Sequence, residues 1–208
     1  IKGMIVHQIF DRLLEHPADN EPMAITSEMF NRFLPQLAAV TGSDFDEPLF
    51  LAELRSHTEA LQQFVGRNPH LRQHAQLELH RYSTTLGIQG RIDALFRDSD
   101  HLEILELKSG RKIRPEDHAQ LFIYRLLLSD LIRRWRRETG VDVRATARLL
   151  SSLDGSYSPL QLQTDFYRVL DARNSLIAAQ YALGVQQHRV QTRYEGFDPD
   201  VCRVCPSW

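Results

Sequence analysis

Asp93, Glu106 and Lys108 are the residues whose types and spacing most directly suggest chemistry. They stand in two short apolar runs, GRIDALF and LEILELK, separated by Asp98-Ser99-Asp100. Turn-forming residues between two such runs predict a β-hairpin. With Ser99 and Asp100 as its tight turn, Asp93 lies directly opposite Glu106. Lys108 recurs two residues further along the same face. The intervening positions Ile92, Ala94, Leu95, Ile104, Leu105 and Leu107 are apolar, so these charges belong to strands that are otherwise buried. Charged groups in a buried sheet are costly unless they are paired or bind a metal. Paired carboxylates offering oxygen ligands suit Mg2+ or Mn2+. A lone E-x-K in a strand is more often a structural ion pair. Here Gly87 and Gly90 precede it at hairpin distance and the basic turn Ser109-Gly110-Arg111-Lys112 follows it, which favours a functional site.

The flanking pattern supplies the elements that must hold this hairpin. Residues 3–16 have helical spacing, with Met4, Ile5, Phe10, Leu13 and Leu14 as an apolar stripe and Pro17 as the stop. Residues 26–40 and 48–65 read as two more helices, the first with Thr26 as a candidate N-cap. QLELHRYST precedes the hairpin as a further strand. A long helix is predicted from Pro115 to Glu138, closed by Gly140, then a strand in VRATARLLSS and a helix over 162–183. The order is helix, three strands, helix, strand, helix, with no internal repeat and no linker. It predicts one α/β domain over 1–208, with a helical N-terminal part (1–70), a catalytic core (75–155) and a C-terminal helix and tail (160–208).

A net charge of −2 does not announce a nucleic-acid partner, but its distribution is uneven. Residues 1–60 carry four Lys/Arg against ten Asp/Glu, whereas residues 108–148 carry eleven against five. A basic segment in a near-neutral chain is either a local phosphate-binding surface or a solvated helix face. No apolar run approaches a membrane span, and the opening residues do not read as a signal peptide. The two cysteines, Cys202 and Cys205, are too few for a disulfide framework, which points to a reducing, intracellular compartment. A start at Ile1 and an end just past Cys205 read as a piece of a longer protein.

GIQGRIDALF, LEILELKSGRK and HAQLFIYRLLL, in that order, resemble the three core motifs of RecB-like nucleases of the PD-(D/E)XK superfamily. Those motifs are G-x-x-D, E-x-K and Q-x-x-x-Y, here Gly90–Asp93, Glu106–Lys108 and Gln120–Tyr124. KGMIVHQIF resembles the family helix that presents a metal-binding histidine, here His7. The likeness runs from Lys2 to about Leu128 and is shared with the nuclease domain of the flap-processing helicase–nuclease and with CRISPR-associated exonucleases. It implies a restriction-endonuclease-like αβββαβ core with a mixed central sheet flanked by helices, plus an N-terminal helical subregion. It also implies that Asp93, Glu106, the Leu107 carbonyl and His7 bind the catalytic metal. Lys108 would orient or activate the attacking water and stabilise the transition state. Gln120 and Tyr124, one turn apart on a helix, would position the site or the DNA backbone. Glu78, in the preceding strand, is a further candidate.

Cys202-Arg203-Val204-Cys205 is open to several readings: zinc, redox chemistry or none. In the family resembled, such a pair belongs to a four-cysteine [4Fe–4S] site, of which this chain carries two members. The activity implied is Mg2+- or Mn2+-dependent hydrolysis of single-stranded or flap DNA in repair or recombination, within or beside a helicase. Arg111, Lys112 and Arg114 are the expected DNA contacts. The alternatives are a nuclease-inactive DNA-binding module of the same fold and an RNA-processing nuclease.

Overall fold

The computed structural model describes residues 1–16, 21–41, 45–72, 75–98, 100–110, 112–160 and 166–187. The N-terminal layer consists of helices α1 (Lys2–Glu15), α2 (Pro22–Thr41) and α3 (Glu47–Arg67). Helix α1 buries Ile5, Val6, Ile9, Phe10, Leu13 and Leu14. This is the stripe expected of a helix with one face in a core, except that Met4 lies outside it, exposed. Thr26 is not a cap. Helix α2 starts at Pro22, whose missing N–H costs nothing in a first turn. The Thr26 hydroxyl instead donates to the Pro22 carbonyl (2.7 Å) and meets the Thr58 hydroxyl (2.8 Å) between α2 and α3. Asp46 caps α3 by accepting from the Leu49 amide.

Among the described residues five strands form one sheet in the order β1 (Ala75–Ser83), β2 (Ile88–Asp98), β3 (His101–Lys108), β4 (Arg144–Ser151) and β5 (Tyr157–Pro159). The β1–β2, β2–β3 and β4–β5 pairs are antiparallel, and β3–β4 is parallel. The β2–β3 register, Ala94 opposite Leu105 through Asp98 opposite His101, is the one a tight turn at Ser99–Asp100 dictates. Strand β5, three residues long, is too short to leave a pattern in sequence.

The parallel β3–β4 pair requires a crossover, as parallel strands always do. It consists of two helices, α4 (Pro115–Leu127) and α5 (Ser129–Thr139), where the sequence predicts one over 115–138. The break falls at Leu128, which is fully buried. Beyond it, Asp130 accepts from Ser83 and Thr85 next to the β1–β2 turn, and Trp135 enters the core. Gly140, with φ at 72°, ends α5 in the left-handed conformation that glycine adopts without strain. Helix α6 (Phe166–Gln187) follows β5.

The sheet separates two cores. One packs α1, α2 and α3 against Ala94, Phe96, Leu105, Leu107 and Leu150. The other packs α4 and α5 against Ile92, Leu95, Leu102, Ile104 and Leu149. This is an α/β fold of the restriction-endonuclease-like kind, a mixed sheet between helical layers.

Alternation along β1 and β2 breaks once. Leu77 and its partner Ala94 face the N-terminal helices, whereas Leu79 and its partner Ile92, two residues on, face α4. Between these pairs lie Glu78 and Asp93, absent from the ladder, and Glu78 has φ at 49°. Two strands thus exchange faces where two carboxylates oppose each other.

Candidate active site

Asp93 sits at the exchange point and reaches both β3 and α1. Its Oδ2 accepts from the Leu107 amide on β3 (2.8 Å). Its Oδ1 lies 3.5 Å from His7 Nδ1 on α1, and Glu78 Oε1 lies 3.9 Å from the same nitrogen. Ligand atoms of His7, Glu78 and Asp93 all fall within 4.8 Å of one another. Donors at bond lengths of about 2.0–2.1 Å around an octahedral ion stand about 3–4 Å apart, so this gap is the size of one ion. Arg91 Nε pairs with the other Glu78 oxygen at 2.8 Å, which turns Oε1 toward His7.

Glu106 is buried and faces the α4 side of the sheet. Oε1 accepts from Lys108 Nζ (2.9 Å), whereas Oε2 is buried without a hydrogen-bond partner. A buried, unpartnered carboxylate oxygen costs desolvation with no return. Burial, and then the Asp93 carboxylate, push Glu106 up to about 8. Both features suit a cation taken up between Asp93 and Glu106. His7, Glu78 and Asp93 fit a divalent metal, and Glu106, beside Asp93, is not part of that ion-sized cluster. Leu107 contributes its amide to Asp93; nothing in the geometry singles out its carbonyl.

Lys108, at the end of β3, has three acceptors for its three protons: Glu106 Oε1, Gln120 Oε1 (2.9 Å) and Asp117 Oδ1 (3.2 Å). Burial alone would lower Lys108, but Glu106 and Asp117 outweigh it and hold the ammonium above its ordinary value. Gln120 Nε2 in turn donates to the Tyr124 hydroxyl at 2.6 Å. Burial and then Glu106 push Tyr124 up as well, so it stays a neutral phenol. Tyr124 and Leu127 also explain Gly90. A Cβ there would stand 3.0 Å from the Tyr124 ring and 3.0 Å from a Leu127 methyl, so only glycine lets α4 lie this close to β2.

Two neighbours of the site, Asp117 and Asp11, are not legible as such in sequence, and Glu78 is legible only as a candidate. Asp117, third residue of α4, accepts from the Arg114 amide through Oδ2 (2.7 Å) and pairs with Lys108 through Oδ1. Its signal was the helix start R-P-E-D, which announces a capping carboxylate but not its second partner. Asp11, one turn after His7, is pushed up to about 7 by burial, then by Glu78, Glu15 and Asp93. Glu78 belongs to the metal-sized cluster through a backbone conformation that strand patterning does not forecast.

Of the expected DNA contacts, Lys112 and Arg114 are exposed, and Arg111 lies outside the described residues, as do Cys202 and Cys205. The start of α1 touches this turn, with a Cβ on Gly3 falling 3.3 Å from Ser109 Oγ. In the RRWRR run, Trp135 is buried under the Arg97 guanidinium (3.8 Å), and Arg133, Arg134, Arg136 and Arg137 are exposed. Among the described residues no helix is long and apolar enough to cross a membrane.

A buried carboxylate pair and a lysine on a β-hairpin, backed by a helix that locks the lysine, define a class of metal-dependent nucleases. The sequence profile of the PD-(D/E)XK nuclease superfamily matches residues 1–207, and the chain belongs to that superfamily. No curated protein matches the sequence. Among solved structures it is similar to the protein VC1899 from Vibrio cholerae, at 14% identity and a TM-score of 0.29 over 73% of this chain and 47% of that one. It is also similar to the protein SSO0001, at 14% identity and a TM-score of 0.30 over 86% of each chain. The chain thus spans about half the length of the Vibrio cholerae protein. Superpositions this loose bear on neither fold nor function.

Proposed function

We propose that this chain is a Mg2+- or Mn2+-dependent deoxyribonuclease acting on single-stranded or flap DNA, as the RecB-like nuclease part of a larger helicase–nuclease protein. Membership of the nuclease superfamily gives the hydrolytic chemistry. The observation that carries the reading to this chain is the buried, unpartnered Oε2 of Glu106 beside Asp93, a cost that metal binding removes.

His7, Glu78 and Asp93, with Glu106 beside Asp93, would hold a divalent cation, which would supply Lewis acidity toward the phosphodiester and acidify water. The protein's own groups do the rest. Lys108 is a fixed ammonium rather than a general base, and it offsets negative charge that builds on the phosphorus oxygens as the bond breaks. Gln120 and Asp117 hold its direction, and Tyr124 holds Gln120. Arg111, Lys112 and Arg114 follow Lys108 in sequence and would take the phosphate backbone, and the exposure of Lys112 and Arg114 supports this. DNA as substrate, the RecB-like assignment and the helicase connection rest on the ordered G-x-x-D, E-x-K and Q-x-x-x-Y motifs with His7.

The test is cleavage of labelled single-stranded, flap and duplex DNA, with RNA alongside, in Mg2+, Mn2+ and EDTA. Cleavage of single-stranded and flap DNA that stops in EDTA is expected. DNA binding without cleavage by a metal-loaded protein would favour a binding module, and cleavage of RNA alone an RNA-processing enzyme.

A further inference from the structure

His57 and Ser152 are both fully buried, and the metal-site chemistry uses neither. His57 lies on α3 in the helical layer, and Ser152 immediately follows β4. His57 Nδ1 and Ser152 Oγ are 2.8 Å apart. Ser152 grips one atom of the active site from behind: the Lys108 carbonyl accepts from the Ser152 amide (2.9 Å) and from its hydroxyl (3.2 Å).

The direction of this chain follows from counting protons. A serine hydroxyl has one proton and a carbonyl can only accept, so the Ser152 proton goes to the Lys108 oxygen. The bond to His57 must then be donated by the ring, which requires the proton on Nδ1. Nε2 is buried with no partner. With the proton on Nδ1, that nitrogen is a bare lone pair. The other tautomer would bury an unpaired N–H and release the Lys108 carbonyl from the hydroxyl, so it is the costlier arrangement. Burial lowers His57 and keeps the ring neutral, outweighing a hydrogen bond to the Ser152 backbone that favours the charged form, and the opposed charges of Lys2 and Glu53 nearby partly cancel.

Lys108 is the last residue of β3, and the chain leaves the sheet at Ser109. Its peptide therefore lacks ladder support on one side, and its side chain must still meet three acceptors. We propose that His57, in its Nδ1–H tautomer, is a positioning residue that acts through Ser152 to fix the Lys108 backbone and so the placement of the catalytic ammonium. The role for Lys108 rests on the nuclease reading, whereas the tautomer and the grip on the carbonyl stand apart from it.

The experiment has two arms. In the first, 15N-edited NMR of the wild-type protein should show a proton on His57 Nδ1 and none on Nε2 at neutral pH. The Lys108 carbonyl 13C resonance should move upfield in S152A as its hydroxyl donor is lost. A proton on Nε2, or an unmoved Lys108 carbonyl, overturns the proposal, and the wild-type tautomer decides if S152A does not fold. In the second arm, H57L and S152A should lower kcat by about tenfold, the scale on which an outer supporting contact acts, with KM and Mg2+ affinity unchanged. H57N, which keeps a donor where Nδ1 stands, should retain most of the rate. Full rate in H57L, or equal loss in H57N and H57L, contradicts the role. Absence of cleavage in the wild-type protein would count against the nuclease reading and leave the first arm to judge the tautomer.

Discussion

Glu78 and Asp93 oppose each other across a gap in the β1–β2 ladder, with Glu78 in a left-handed backbone conformation that places its carboxylate beside His7. A non-glycine residue there carries strain of about 1–2 kcal/mol. Such strain persists where surrounding structure enforces it, and it concentrates at functional sites. Here both strands exchange faces at this point, so one pair of positions looks toward α1 and the metal-sized gap at once.

Strain and ligation can be separated at this residue. E78G removes the ligand and the strain together, whereas E78A removes only the ligand. Glycine adds back about 0.5–1 kcal/mol of backbone entropy. E78G should therefore be at least as stable as E78A in denaturant titrations without metal. Both should bind Mn2+ more weakly, with the loss read by calorimetry. An E78G protein clearly less stable than E78A would show that the backbone at Glu78 is unstrained.

Gly90 sets how close α4 lies to the hairpin. G90A puts a methyl 3.0 Å from the Tyr124 ring and from Leu127. The crowding should cost about 1–3 kcal/mol, as overpacking does. Tyr124 carries Gln120, and Gln120 holds Lys108, so the rate should fall by more than the stability loss explains. Thermal melts and single-turnover cleavage on the same preparation measure both.

The metal-free protein should lose stability as pH rises. Asp11 and Glu106 are pushed up to about 7 and about 8 by burial and neighbouring carboxylates. A carboxyl group whose folded pKa lies above its unfolded value contributes stability that is full below the unfolded pKa and is lost as pH rises through the folded one. Melting temperature in EDTA should therefore fall from about pH 4, near the ordinary values of 3.8 and 4.5, to about pH 8, the upper folded value. E106Q should flatten that fall. Mg2+ should raise the melting temperature more at the alkaline end, where no proton competes for Glu106. A melting temperature that rises with pH in EDTA would contradict the burial argument.

The turn after Lys108 is the proposed DNA contact. Replacing Arg111, Lys112 and Arg114 with Ala should weaken single-strand binding for any sequence, and the salt slope should drop by ~0.7 per lost phosphate contact. An unchanged slope, with binding lost instead on replacing Arg133, Arg134, Arg136 and Arg137, would move the DNA to the α5 surface.

What was legible in the sequence was what local rules fix. Asp98-Ser99-Asp100 sets the hairpin register, and period-two spacing then puts Glu106 and Lys108 on one face. The element order followed from the same patterns, whereas the mixed sheet was implied by the resemblance to the nuclease family. What was not legible depends on contacts distant in sequence. Thr26 looks like a cap but is a buried hydroxyl bonded to Thr58. The 115–138 pattern reads as one helix, yet the pull of Ser83 and Thr85 on Asp130 goes with a break at Leu128. Asp117 and Ser152 serve Lys108 through bonds that no spacing rule connects. The exchange of faces at Glu78 and Asp93 defies alternation outright.

The central claim is that Lys108 acts as a fixed charge beside a metal held by Asp93 and Glu106. Its most direct test is metal-dependent cleavage of single-stranded DNA by K108M in an active preparation, with Mn2+ affinity and melting temperature measured on the same sample. The account predicts cleavage reduced by about a hundredfold or more, as loss of a charge-stabilising donor does, with metal still bound and the fold intact. Undiminished cleavage by K108M would contradict it.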